Sequence, residues 1–291
     1  MFSLAARLSP LRTTSLQPPA ARRGAPAVLP FSCRATAAGS GREAAPKQQP
    51  SPLVTVGAAA VGLALVSYDV FGPGSAHLLQ PLDTAAHAWV VANLDATTRT
   101  FWAGKLVSDA AITVGLLGWA GVTAAALGTR QPKLAQALGF SAAVYVLGGG
   151  SIKHGDPVLV AALKDAFARV RPSVHHQTYS FPSGHTTAGT FVCGTLLFLL
   201  LPLALQAWEE QQREEQPAQE LRTRSAPQRV QAWLEEHRWS LWGSAALLTA
   251  SGRVLADAHW MSDTIAGACL GAALTALTVQ LCRGAASGRR V

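Results

Sequence analysis

Long runs of mostly apolar residues constrain this chain more than any other feature, because a helix of about 20 such residues spans a bilayer. Only 14% of the 291 residues are charged, whereas about 25% is usual in soluble domains. We predict an all-α fold, a bundle of six transmembrane helices with an active site at one membrane face. The predicted spans are Leu53–Phe71, Leu106–Leu127, Leu134–Ile152, Thr186–Leu205, Trp239–Gly252 and Thr264–Cys282.

Polar segments separate these spans. Between the first two, Pro81 to Lys105 interleaves aromatic and polar residues, which is typical of an amphipathic helix at the membrane interface. Residues 207–238 are rich in Glu, Gln and Arg, which indicates a hydrophilic loop. We therefore expect one six-span domain over residues 53–283, preceded by a linker over 43–52 and followed by a short basic tail over 284–291.

The first 42 residues differ in composition from the rest. They contain several arginines, many Ser, Ala and Pro residues, and no carboxylate before Glu43. This composition is typical of an organelle transit peptide, and it lacks the apolar core of a secretory signal. We predict a plastid transit peptide over residues 1–42 and a multi-pass protein of a chloroplast membrane. A plain disordered tail is the alternative.

Three charged segments flank the spans. They are Lys164–Ser173 after the third span, Pro182–His185 at the start of the fourth, and Gly252–Asp263 between the fifth and the sixth. With alternating spans, the loop that joins spans three and four emerges on the same face as the loop that joins spans five and six. The three segments are therefore expected to converge on one side of the bundle.

These segments contain the groups that phosphoryl transfer requires. Lys164, Arg171 and Arg253 supply three cations, two of them guanidinium forks that can bind phosphate through two hydrogen bonds. Ser183 adds a hydroxyl, and Gly184 lets backbone N–H groups approach an anion at a helix N-terminus. The pattern predicts a phosphate cradle. Three cations balance a phosphate without a metal, so we expect no metal and no cofactor.

Two histidines can supply the nucleophile and the general acid. His259 and Asp263 are four residues apart, so a helix would place them on one face, where the carboxylate can accept the Nδ1 proton. That tautomer leaves Nε2 of His259 as a nucleophile. His185 can then protonate the leaving alkoxide and afterwards activate water. Asp257 and Trp260, which border His259, are interpreted as residues that position the loop.

Lys-x6-Arg-Pro, Pro-Ser-Gly-His and Arg-x5-His-x3-Asp, in this order, resemble the signature of the type-2 phosphatidic acid phosphatase family, also called lipid phosphate phosphatases. The resemblance covers Lys164 to Asp263. It implies that His259 is the nucleophile, that Asp263 orients it, that His185 is the acid, and that the other named residues bind phosphate. In one departure, the family usually has Ser directly before the third-motif Arg, where this chain has Gly252.

The resemblance implies a membrane enzyme that hydrolyses a phosphomonoester, and we expect phosphatidic acid as its substrate. A prenyl or polyprenyl diphosphate phosphatase is the nearest alternative. A vanadate-dependent haloperoxidase and a catalytically silent membrane protein are further alternatives. The expected partners are a lipid phosphate and membrane lipids, with no nucleic acid. The four cysteines show no Cys-x-x-Cys spacing, so neither a zinc site nor a disulfide framework is indicated.

Overall fold

The fold is that of a computed structural model, which describes residues 51–149, 157–173, 178–215 and 225–286. The predicted transit peptide, most of the predicted linker, the end of the predicted third span and the last residues of the basic tail lie outside these ranges. The described residues form helices and no strand. The all-α prediction is therefore confirmed for them.

The described residues form nine α-helices and three π-helical stretches. The α-helices are α1 Pro52–Phe71, α2 Gln80–Asn93, α3 Ser108–Thr129, α4 Pro132–Val144, α5 Val158–Phe167, α6 Gly184–Thr195, α7 Leu201–Glu215, α8 Ala226–Leu255 and α9 Met261–Ala286. The π-helical stretches are Thr98–Val107 before α3, Tyr145–Gly149 after α4 and Leu196–Leu200 between α6 and α7.

Four helical stretches of the described chain are long and apolar enough to cross a membrane: Pro52–Phe71, Thr98–Thr129, Gly184–Glu214 and Met261–Arg283. They include the first, second, fourth and sixth predicted spans. The helices at the third and fifth predicted spans do not meet the same criterion. Polar residues such as Lys133 in α4 and Arg238 in α8 lower their mean hydropathy. The described chain has several candidate membrane crossings, and the count of six stays a prediction.

The region from Pro81 to Lys105 is two helices rather than one. Asp95 interrupts it, because its Oδ1 accepts a hydrogen bond from Thr98 N (2.8 Å) and its Oδ2 one from Thr98 Oγ1 (2.9 Å). Such local bonds favour the start of a new helix. The second helix runs without a break into α3, so the second candidate span begins at Thr98 instead of Leu106.

The predicted hydrophilic loop 207–238 is helical at both ends. α7 continues to Glu215, and α8 begins at Ala226 with Ser225 as its N-cap residue. Glu209 of α7 accepts hydrogen bonds from Arg213 (2.6 Å) and from Gln228 of α8 (2.6 Å). The two helices thus extend past the apolar part of the bundle and contact each other there.

α6 lies at the centre of the bundle and packs against α3, α8 and α9, while α1 packs along α9. Its start is in close contact with α9. A Cβ atom on Gly267 would lie 2.5 Å from the carbonyl oxygen of Ser183, so only glycine permits this approach. The contact fixes the beginning of α6 against the first turns of α9.

Three phenylalanine rings anchor the chain that leads into α6. Phe71, Phe167 and Phe181 have ring centroids 4.7 to 5.0 Å apart. Phe181 is completely buried, and rings at these separations stabilise one another. The cluster joins the end of α1, the end of α5 and the segment before α6, so both ends of the connection from α5 to α6 are held at one place.

Candidate active site

The loop between α8 and α9 carries His259. Asp257 in this loop has a positive φ of 56°, which turns the chain sharply. Its carboxylate contacts His87 Nδ1 of α2 at 2.7 Å and Arg99 Nη1 at 3.7 Å. On the other side of His259, Trp260 Nε1 donates to the carbonyl of Val170 (2.8 Å). Asp257 and Trp260 therefore hold the loop from both sides, as their interpretation as positioning residues requires.

The imidazole of His259 lies between a carboxylate and a guanidinium. Its Nδ1 is 3.5 Å from Asp263 Oδ2, longer than an ordinary hydrogen bond, and its Nε2 is 3.0 Å from Arg171 Nη1. Arginine only donates, so Nε2 must carry the lone pair and Nδ1 the proton. This is the tautomer predicted for a nucleophilic Nε2, although the Nδ1 contact with Asp263 is looser than expected.

Burial and positive charge keep His259 neutral. The residue is 3% exposed, and burial lowers the pKa of its imidazole well below the ordinary value of 6.5. The charges of Arg171, Arg253 and Lys164 lower this pKa further, in that order. All three predicted cations thus lie close enough to act on His259, although they come from two segments that are far apart in the sequence.

Ser183 is the N-cap residue of α6 and connects the predicted cradle to α9. Its N–H donates to the carbonyl of Asp263 (3.0 Å), so this group is committed within the protein. Its Oγ accepts hydrogen bonds from Thr186 N (3.4 Å) and Thr186 Oγ1 (3.1 Å), which leaves the hydroxyl proton to donate elsewhere. Gly184 follows as the first residue of α6, where backbone N–H groups favour an anion.

His185 lies in the first turn of α6, and its side chain is partly exposed. Its Nε2 is 3.6 Å from Asp109 Oδ1, at the start of α3. Its charge also acts on the pKa of His259, so the two predicted catalytic histidines are near each other. The role of His185 as a proton donor stays a prediction.

Arg171 is held by the segment on its own side of the site. Its Nε donates to the carbonyl of Thr178 (2.8 Å), and its Nη2 donates to Thr178 Oγ1 (2.9 Å). Its Nη1 donates to the carbonyl of Ala258 (2.7 Å) as well as approaching His259. These bonds fix the guanidinium beside the imidazole.

Two residues that the sequence analysis did not single out contact the predicted site. Arg169 contacts Asp263, and Asp83 of α2 contacts Arg169 and Ser262. Arg169 stands between Lys164 and Arg171 in the first motif, so its position in the sequence could have indicated that it lies at the site. The position of Asp83 could not, because it is one of several polar residues in a segment with an amphipathic pattern.

Gly252 explains the departure from the usual third motif. A Cβ atom at this position would lie 2.5 Å from the backbone N of Ser108 and 2.6 Å from its Cα. α8 and α3 therefore touch through their backbones directly before Arg253. A serine side chain would not fit at this contact.

A model of the PAP2 superfamily matches residues 134–285, just over half of the chain, and this stretch includes every predicted site residue. Among solved structures, the chain resembles the first transmembrane PAP2 type phosphatidylglycerolphosphate phosphatase from Bacillus subtilis. The TM-score is 0.47 and the identity 18%, over 82% of this chain and 98% of that one. No curated protein matches the chain.

Proposed function

Since the chain belongs to the PAP2 superfamily, a family of membrane phosphatases, we propose that it hydrolyses a lipid phosphomonoester, with phosphatidic acid as the substrate. One observation carries the proposal. Nε2 of the buried His259 lies 3.0 Å from Arg171 Nη1, so its lone pair faces a cation that can bind a phosphate oxygen.

In the proposed reaction, Nε2 of His259 attacks phosphorus while the bond from phosphorus to the lipid oxygen breaks. His185 gives its proton to that oxygen, and diacylglycerol leaves. Asp263 stabilises the positive charge that develops on the imidazole. Water then attacks the phosphohistidine, His185 takes a proton from it, and inorganic phosphate departs from neutral His259.

The charge of the transferred group is balanced by side chains. Lys164, Arg171 and Arg253 supply three positive charges around the phosphoryl oxygens, with donors from Ser183 and Gly184. We propose that these cations do the work that a divalent metal does in other phosphatases. Activity is therefore expected to persist in EDTA.

Phosphate release by the purified protein tests this function. We expect hydrolysis of phosphatidic acid in detergent micelles with EDTA present. The panel also contains a prenyl diphosphate and phosphatidylglycerolphosphate, which separate the substrate classes. His259→Ala should lower the rate by at least about 1,000-fold, because it removes the nucleophile, while the variant stays folded. Near-normal release by His259→Ala, or a strict need for magnesium, would contradict the mechanism.

We further propose that the protein resides in a plastid membrane. The proposal is supported by the arginine-rich, acid-free composition of residues 1–42. A fluorescent protein that carries these residues should be imported into isolated chloroplasts and cleaved there. Uptake by mitochondria alone would contradict the assignment.

A further inference from the structure

The carboxylate of Asp263 is fully buried, and each of its two oxygens accepts a hydrogen bond. Oδ2 faces His259 and accepts a hydrogen bond from Trp260 N (2.9 Å). Oδ1 accepts one from Arg169 Nη1 (2.6 Å). A buried carboxylate is stable only when its charge is paired, so Arg169 is the cation that compensates Asp263.

Arg169 is held in turn by a second carboxylate. Its Nη2 donates to Asp83 Oδ2 (2.7 Å), and its Nη1 donates also to Ser262 Oγ (2.6 Å). The guanidinium carbon lies 5.4 Å from the centre of the Trp260 ring, close enough for a cation–π contact. Both terminal nitrogens are thus engaged with the protein. Arg171 also bonds to the protein through both terminal nitrogens, but its Nη1 lies 3.0 Å from Nε2 of His259.

Asp83 ties α2 to the beginning of α9. The residue is 2% exposed. Its Oδ1 accepts from Ser262 N (2.9 Å) and its Oδ2 from Ser262 Oγ (2.6 Å). Ser262 directly precedes Asp263, so α2 fixes both the backbone beside Asp263 and the guanidinium that pairs with it. Asp83 also lies outside the residues that the family model matches.

We propose that Arg169 and Asp83 are positioning residues for the phosphatase reaction. Arg169 compensates and orients Asp263, and Asp83 fixes Arg169, so that His259 is oriented through a chain that ends on α2. The inference rests on the proposed function. It extends the site beyond the three motifs and makes α2 part of the catalytic unit.

Steady-state kinetics with phosphatidic acid test the inference. Arg169→Gln should lower kcat by about 10- to 100-fold, the usual effect of losing a residue that orients a directly acting group. Its KM should stay within about threefold of the wild-type value, because Arg169 does not touch the substrate. Arg171→Gln, which removes a proposed phosphate ligand, should instead raise KM. A kcat for Arg169→Gln within about twofold of wild type, or a rise in KM alone, would overturn the inference.

A double-mutant cycle separates positioning from general damage to the fold. In the background of Asp263→Asn, Arg169→Gln should change kcat by less than about twofold, because both residues act through one path. If the two substitutions instead lower kcat by independent factors that multiply in the double variant, the inference is wrong. If Arg169→Gln fails to fold, the same cycle is measured with Asp83→Asn and Asp263→Asn. A wild-type protein that releases no phosphate refutes the proposed function itself, before any variant is compared.

Discussion

At the scale of single residues, burial and the charges around His259 determine its protonation state. Burial first, and then Arg171, Arg253 and Lys164, lower its pKa. A nucleophile must be neutral before it attacks, and a lowered pKa extends the neutral form to more acidic solutions. The cations that are proposed to bind phosphate thus also keep the proposed nucleophile neutral.

The pH dependence of kcat/KM follows from this pKa. The imidazole is active above its pKa, so the acid limb that it sets should lie well below pH 6.5. Arg171→Gln removes a positive charge that lowers the pKa, so the limb should move to higher pH. Rate profiles of both proteins on one lipid check this, because ionisation of the substrate is common to both.

Lys133→Gln is the matched control for that profile. Lys133 stands at the start of α4, beside Gln131, which contacts Glu210 near the end of α7. This is the opposite end of the bundle from His259. The control should keep the wild-type acid limb. A limb in Arg171→Gln that stays at the wild-type pH would show that Arg171 does not set the protonation of His259.

At the scale of helices, the sequence predicts the elements that bear motifs better than those that support them. The start of α6 could be predicted, since Ser183 has a local capping role and an apolar run follows. The role of α2 could not be predicted, because Asp83 pairs with Ser262, which is 179 positions away in the sequence. Only the tertiary fold distinguishes that buried carboxylate from a solvated one.

The contact of α8 with α3 makes Gly252 sensitive to substitution. Gly252→Ser should lower the free energy of unfolding by about 1–3 kcal/mol, because its Cβ atom would collide with the backbone of Ser108. It should also lower kcat/KM, since Arg253 follows directly. Thermal unfolding in detergent and phosphate release measure the two effects.

Gly243→Ala in the same helix is the matched control. Apart from its chain neighbours and the backbone of its own helix, no atom lies within 4 Å of a Cβ at this position. The better helix propensity of alanine should therefore leave stability equal or higher by up to about 1 kcal/mol. Equal behaviour of the two variants would mean that α8 and α3 are not in backbone contact at Gly252.

At the scale of the whole molecule, the site lies at one end of the bundle. Gly184–Glu214 is a candidate span of 31 residues, about 46 Å of helix at 1.5 Å per residue. That length exceeds the hydrocarbon core of about 30 Å. We therefore predict that His185 lies at one membrane face and Glu214 at the other.

Cysteine labelling measures this arrangement. Tyr179 precedes α6. Ala96 follows α2 and lies close in sequence to Arg99, which contacts Asp257 in the loop that carries His259. Tyr179 and Ala96 are both exposed. In a background without the native cysteines, Tyr179→Cys and Ala96→Cys should react alike with an impermeant thiol reagent in sealed vesicles. Glu214→Cys should show the opposite accessibility. Labelling of all three from one side would refute the crossing of the membrane by α6 and α7.

The hydrogen bond from Ser183 N to the carbonyl of Asp263 (3.0 Å) has a consequence for how catalysis is organised. Ser183 stands two residues before His185, and Asp263 stands four residues after His259. This bond between two peptide groups therefore ties the proposed acid and the proposed nucleophile to each other before any lipid binds. In the proposed reaction, the substrate would meet an assembled site, so its binding free energy can lower the barrier instead of ordering the protein.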